Sequence, residues 1–160
     1  MSLDLTKLQT TLDGETDIIC RRDFGHPPAK VWRALTEPAL IRQWMAVDGH
    51  PMTRCDIDPR PGGSFHYEWA GPDGTSFFFS GPILAVDAPR HMTHIEHFNG
   101  DPAMAAHITT DLAPHGTGSR MTMVMRYANA EARASAVATG MTDGETAETA
   151  GATGGAGDAA

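Results

Sequence analysis

Apolar and polar positions divide the chain into a helical stretch and a longer series of strands. The run TDIICRRDF (16–24) lies between turn residues and predicts a first strand. In residues 28–35 and 39–45 the apolar side chains recur at helical spacing, and Glu37-Pro38 separates the two stretches. We therefore expect one strand followed by two short helices.

After Gly49 the helical spacing gives way to short β-prone segments that are separated by turn residues. The strand candidates are MTRCDID (52–58), SFHYEWA (64–70), TSFFFSGPILAVD (75–87), RHMTHIEHF (90–98), AHITTDLAP (106–114) and SRMTMVMRY (119–127). Parallel neighbours would need crossover connections of about a dozen residues, and the connections here are shorter. The pattern predicts an antiparallel meander, and its apolar face must be covered by another element.

The last regular segment predicts a C-terminal helix. It begins after Asn129, a suitable N-cap, ends near Thr139, and carries on one side Ala132, Ala136 and Val137. The residues beyond it include no large apolar side chain after Met141. We expect a loosely packed leader over residues 1–15, one domain over residues 16–141, and a weakly ordered, acidic Gly/Ala/Thr-rich tail over residues 142–160.

Several stretches, taken in order, carry a family resemblance. They are PPAKVWRALTEPALIRQW (27–44), DIDPRPGGSF (56–65), GPDG (71–74), GPILAVDAPRHMTHIEHFNG (81–100), GTGSRMTMVMRY (116–127) and AEARASAVATGM (130–141). Together they resemble the START-like (SRPBCC) superfamily of helix-grip, polyketide cyclase/dehydratase-like proteins. The most similar branch is the one named for activators of the 90-kDa heat-shock-protein ATPase, which has many bacterial members.

This resemblance implies an α+β helix-grip fold. Seven strands would form a curved antiparallel sheet around the C-terminal helix, with two short helices between strands 1 and 2 and a cavity between sheet and C-terminal helix. Relatives continue after the Gly-Met pair with a Gly-Trp and an apolar helix, whereas Gly144 is followed here by Glu145. The departure leaves two alternatives: an unusually open cavity, or a second chain that covers the gap in a homodimer.

Composition and charge exclude several classes of protein. The chain has 160 residues, only two lysines and a formal net charge of −8, which argues against binding to nucleic acid. No apolar run reaches the roughly 18–20 residues of a membrane helix, and the acidic, polar N-terminus resembles no targeting peptide. We expect a cytoplasmic protein in which Cys20 and Cys55 are reduced, buried thiols.

The histidines of the HMTHIEHF strand suggest a metal site, but strand geometry argues against one. His94 points away from His91 and His97, and those two lie about 20 Å apart along an extended strand. We predict no metal and no cofactor. His107 and Asp111 share the face opposite to the apolar side of their strand, so we expect them to face solvent.

His94 and Glu96 share a face with Met92 and Phe98, and the resemblance directs that face inward. Burial would raise the pKa of the carboxyl and lower that of the imidazole, which suits acid–base catalysis. The alternative is that the two groups bond each other or a buried water and only shape a binding pocket. We keep both hypotheses, with His94 and Glu96 as the candidate catalytic residues.

The strongest candidates for ligand contact are large apolar side chains at period two. The predicted contact residues are Trp44, Phe65, Tyr67, Trp69, Phe77, Phe79, Met92, Met121, Met123 and Met125. Aromatic rings and adaptable methionines suit a hydrophobic ligand such as a polyketide, a lipid or an aromatic compound. The leading hypothesis is binding of such a molecule, with or without cofactor-free acid–base chemistry; the alternative is a co-chaperone-like protein-binding module.

Overall fold

In the described part of the chain, one curved antiparallel sheet packs with three helices. The computed structural model describes residues 8–138. The elements are β1 (Gln9–Asp13), β2 (Asp17–Phe24), α1 (Pro28–Thr36), α2 (Pro38–Trp44), β3 (Met52–Ile57), β4 (Ser64–Ala70), β5 (Ser76–Asp87), β6 (His91–Phe98), β7 (Asp101–His115), β8 (Gly118–Tyr127) and α3 (Ala130–Ala138). The strand order across the sheet is β1-β2-β8-β7-β6-β5-β4-β3. The predicted α+β helix-grip class is confirmed.

The sheet has eight strands rather than the predicted seven, because part of the expected leader is a strand. Residues 9–13 pair antiparallel with β2, from Gln9 opposite Arg21 to Asp13 opposite Asp17. Four of the five β1 side chains are exposed. An edge strand that is held by backbone pairing and buries little leaves no apolar alternation in the sequence, so the pattern could not reveal it.

Side chains alternate across the sheet as the period-two pattern predicts. On β4, Phe65, Tyr67 and Trp69 are at most 9% exposed and face inward. On the outer face of the same strand, His66 Nε2 lies 2.8 Å from Glu68 Oε1. The apolar face of the sheet therefore lies on its concave side, beneath α1 and α2.

The two short helices are tied to each other and to the sheet by tryptophan side chains. Both helices begin with a proline, at the position where a missing N–H removes no hydrogen bond. The Trp44 indole N–H donates to the carbonyl oxygen of Ala34 at 2.6 Å, which joins α2 to α1. The Trp69 indole N–H donates to the carbonyl oxygen of Met45 at 2.9 Å, which joins β4 to the end of α2.

The C-terminal helix begins where the sequence predicts. Asn129 Oδ1 accepts a 2.8 Å hydrogen bond from the backbone N–H of Ala132, the N-cap bond that was expected. Ala132 and Ala136 are buried in one cluster with Ile18 and Tyr127. The predicted end of this helix near Thr139 and the predicted tail over 142–160 lie outside the described residues.

The turn between β3 and β4 needs each of its two glycines for a different reason. Gly62 has a φ of +84°, a left-handed conformation that glycine adopts readily. Gly63 does not have a positive φ, and it is required for another reason: a Cβ there would lie 2.1 Å from the carbonyl oxygen of Asp58. The turn is joined to β5, since Gly62 N–H donates to Ile83 and Ile83 N–H donates to Gly63.

Helices in the described part of the chain are too short, or too polar, to cross a lipid bilayer.

Candidate functional site

A cavity of about 450 Å³ lies between the concave face of the sheet and the first two helices. The side of the cavity that faces the sheet is formed by α1, by the C-terminal end of α2 and by the three residues after it, Met45, Ala46 and Val47. We expected the C-terminal helix in this position. Its described part, Ala130–Ala138, contributes no lining residue and packs instead against β7 and β8.

The structure brings all the predicted site residues to this one cavity. The lining includes Trp44, Phe65, Tyr67, Trp69, Phe77, Phe79, Met92, His94, Glu96, Met121, Met123 and Met125. They come from α2 and from four strands of the sheet, β4, β5, β6 and β8. Strands β4, β5 and β6 are neighbours, and β7 lies between β6 and β8. That they bind a ligand, or that His94 and Glu96 act as catalysts, stays a prediction.

Aromatic rings form one end of the cavity. Trp69 and Phe77 stack with ring centroids 5.1 Å apart and an interplanar angle of 13°. Phe79 packs against Phe98 at 5.2 Å, and Phe98 is the residue that was expected to share a face with His94. Such ring pairs are rigid and present both faces and edges to a bound molecule.

The β8 methionines line the other end. Their register places Met121 opposite Arg22, Met123 opposite Cys20 and Met125 opposite Ile18 on β2. Met121 and Met125 are buried, while Met123 is partly exposed between two core clusters. Flexible thioether side chains at this end can adjust to ligands of different shape.

His94 is a neutral polar group in an otherwise apolar wall. Its ring meets the edge of Phe65 at 5.1 Å, and its Nδ1 atom is buried without a hydrogen-bond partner among the described residues. Burial, with a smaller electrostatic contribution from His107, lowers the pKa of His94 to about 4. At neutral pH the imidazole therefore carries no charge.

Glu96 lies two residues from His94, and the buried His94 Nδ1 does not bond it, since that atom has no hydrogen-bond partner among the described residues. The charge of Glu96 acts instead on two tyrosines: burial first and Glu96 second raise the pKa of Tyr127 to about 12. Burial also raises the pKa of Tyr67, with the charges of Cys55 and Glu96 adding to the effect.

Arg22 is a cavity residue that the sequence analysis missed. It is 3% exposed, and its Nε and one terminal nitrogen have no hydrogen-bond partner among the described residues. The guanidinium carbon lies 4.9 Å from the centroid of the Phe24 ring, and burial lowers the pKa of the guanidinium. The sequence did contain a signal for Arg22. It follows Ile18 and Cys20 at a spacing of two residues, so the three side chains share the inward face of β2.

The remaining histidines of the predicted strand lie outside the cavity lining. His91 Nδ1 is 2.6 Å from Asp111 Oδ1, and Asp111 and His107 are exposed. Within residues 8–138 no three His, Cys, Asp or Glu side chains converge closely enough to hold a metal ion. Cys20 and Cys55 are buried on different strands and form no disulfide with each other.

Comparison with known proteins gives the family. The sequence model of the family described as Activator of Hsp90 ATPase homolog 1-like protein matches residues 25–151. A solved protein from Rhodobacter sphaeroides is 31% identical, has a TM-score of 0.82, and is matched over 90% of this chain and 93% of its own. One from Mycobacterium smegmatis is 25% identical with a TM-score of 0.79, over 96% of this chain and 94% of its own.

One from Nitrosomonas europaea is 25% identical with a TM-score of 0.75, over 92% of this chain and 96% of its own. A search of curated proteins found no match. The family match covers well over half of the sequence, and the solved relatives share the sheet and helices described above. The chain therefore belongs to the family of Activator of Hsp90 ATPase homolog 1-like proteins, within the START-like (SRPBCC) superfamily.

Proposed function

We propose that this protein binds a small, largely apolar molecule in the cavity between the sheet and helices α1 and α2. Members of its family are often small-ligand-binding or co-chaperone-like. The observation that carries the proposal is the size of the space: about 450 Å³ is within the usual range of ligand pockets. Protein interiors are otherwise close-packed with few voids larger than a water molecule, so a space of this size is not ordinary packing.

The lining favours an apolar ligand. Aromatic rings and methionines dominate it. Apart from one cysteine and one tyrosine, the ionisable side chains among the described lining residues are Arg22, His94 and Glu96. Burial of apolar ligand surface would supply affinity at about 25 cal/mol per Å² before the costs of association. Trp44 is fixed by its bond to Ala34, so its ring is already oriented before a ligand enters.

Binding is favoured over catalysis by the state of His94. A general acid or base works best with a pKa near the working pH, and the pKa of this imidazole is about 4. We assign His94 the role of a neutral hydrogen-bonding group and Glu96 that of a polar wall residue. Substitution His94→Ala should change the affinity for ligands rather than abolish a turnover.

The test uses a neutral apolar fluorophore, N-phenyl-1-naphthylamine, titrated into the purified full chain. We expect saturable binding at one site with enhanced emission. The variant Met123→Trp fills the cavity and should weaken binding at least about tenfold, which corresponds to about 1.4 kcal/mol. Val124→Trp is the matched control, because Val124 is the next residue on β8 and is absent from the described lining. It should bind within about twofold of the wild type.

Two results would contradict the proposal. One is the absence of saturable binding by the wild-type chain; the other is an equal effect of the two tryptophan variants. The co-chaperone alternative gives a different result: stimulation of a partner ATPase that Met123→Trp leaves unchanged.

A further inference from the structure

Arg22 differs from the other arginines of the described chain in being buried without a polar partner, whereas its neighbour Arg21 is exposed to solvent. Six of the others form ion pairs with carboxylates: Arg33, Arg54, Arg60, Arg90, Arg120 and Arg126. Arg42 and Arg133 donate to backbone carbonyl oxygens. Arg22 is more deeply buried than any of these, and no ion pair among residues 8–138 includes it.

A guanidinium stays protonated in proteins, and a buried charge without a counter-charge is strongly unfavourable. The face of Phe24 compensates only in part. The adjacent carboxylate, Asp23, points to the other face of β2 and pairs with Arg120 at 2.8 Å. Nothing in the described chain therefore neutralises the Arg22 charge.

The carboxylate that shares the cavity with Arg22 is Glu96, and the sheet keeps the two apart. Arg22 is on β2 and Glu96 on β6, with β8 and β7 between them. The register places Arg22 beside Met121 and Leu112, whereas Glu96 lies beside Ala106 and Tyr127, near the opposite end of the strands. The cavity thus has one unneutralised cationic end, lined by Phe24, Met121 and α1.

We propose that the ligand of this cavity is an amphipathic acid, whose single carboxylate pairs with Arg22 while its apolar body lies between the methionines and the aromatic rings. The inference deepens the proposed function and rests on it. A planar carboxylate matches the two-pronged donor geometry of a guanidinium. A monoanion is favoured over a phosphate, because no lysine and no second arginine is among the described lining residues.

The test compares three ligands with the same ten-carbon chain: decanoate, 1-decanol and decylamine. Each displaces N-phenyl-1-naphthylamine from the full-length protein at pH 7.5. We expect decanoate to bind at least about tenfold more tightly than 1-decanol, the effect of one charge-assisted hydrogen-bonded pair. Decylamine should bind most weakly, since it brings a second cation to the cavity.

Two variants of one strand assign the effect to a residue. Arg22→Met keeps the length and apolar volume of the side chain and should remove the advantage of decanoate while retaining 1-decanol binding. Arg21→Met removes the same charge from the neighbouring exposed position and should keep the full advantage. Arg22→Lys, which preserves the charge but not the two-pronged geometry, should keep part of it.

Equal affinity of the wild type for decanoate and 1-decanol would overturn the inference, and so would an advantage that survives in Arg22→Met. In both cases displacement of the probe by 1-decanol would leave the proposed function standing. Failure of the wild type to bind the neutral probe at all would overturn both. The comparison of head groups in the wild type stands even where the methionine variant fails to fold.

Discussion

At the scale of single residues, His94 and Arg22 bury nitrogen atoms that have no hydrogen-bond partner in the described chain. Native interiors leave few such atoms unpaired, so three of them at one cavity mark a place where the described residues leave hydrogen bonds unmade. The two side chains differ in charge at neutral pH. His94 avoids the cost of burial by losing its proton, whereas Arg22 cannot do so.

The lowered pKa of His94 predicts a specific loss of stability in acid. The folded chain holds this pKa at about 4, below its ordinary value of 6.5. As the pH falls through 6.5, the unfolded chain binds a proton that the folded chain does not, so the free energy of unfolding falls. The shift from 6.5 to about 4 corresponds to about 3 kcal/mol by pH 4.

Urea unfolding at pH 7 and pH 4.5 measures this contribution. His94→Leu should lose less stability between the two pH values than the wild type does. The control is His26→Gln, in the segment between β2 and α1 and absent from the described cavity lining, which should lose nearly as much as the wild type. An unchanged acid loss in His94→Leu would show that the burial of the imidazole does not control the acid stability.

At the scale of elements, the curved sheet depends on close contacts between backbones. Gly81 lies inside β5, opposite Phe65 of β4, and a Cβ there would be 1.8 Å from the carbonyl oxygen of Ile95 on β6. The β5–β6 register also shifts between Ile83 and Ala85. A glycine and a register shift together let the strands approach and bend, which gives the sheet its concave face.

We predict that Gly81→Ala destabilises the protein by at least about 2 kcal/mol, because the clash is with backbone and not with a movable side chain. The matched control is Gly25→Ala, where an added Cβ meets nothing within 4 Å and φ is not positive. That variant should stay within about 0.5 kcal/mol of the wild type. Chemical denaturation measures both, and equal stabilities would refute the argument from close approach.

Element boundaries were predictable where side chains alternate or recur, and not where backbone pairing alone decides. Helices α1 and α2, and strands β3 to β6 and β8, were expected within a few residues. Strand β1 was missed for lack of an apolar pattern, and β7 begins at Asp101, five residues before the expected start, because Asn99-Gly100 alone forms the turn.

At the scale of the whole molecule, the cavity is space that the side chains of residues 8–138 leave unfilled. An unfilled apolar space forgoes packing contacts, so the ligand-free protein is less stable than its fold allows. A molecule that binds only the folded state restores these contacts and shifts the folding equilibrium. The stability of the protein should therefore depend on ligand concentration.

We predict that 1-decanol at about 100 times its dissociation constant raises the free energy of unfolding by about 2.7 kcal/mol. For a chain of this length that corresponds to an increase in Tm of about 5–10 °C. Differential scanning fluorimetry measures it. Met123→Trp should show a much smaller shift and Val124→Trp a normal one; a wild-type Tm that does not respond to the alcohol would contradict the prediction.

The sequence by itself determined the antiparallel order of the long strands and which side chains share a face, because these follow from local periodicity and turn residues. The helix-grip class, and the inward direction of the face that carries His94 and Glu96, were implied by the family resemblance. Only the tertiary structure decided that these faces enclose an open space beneath α1 and α2, and that Arg22 lies there without a counter-charge among residues 8–138. The physical reason is that volume and charge balance depend on residues far apart in the chain, which periodicity does not connect.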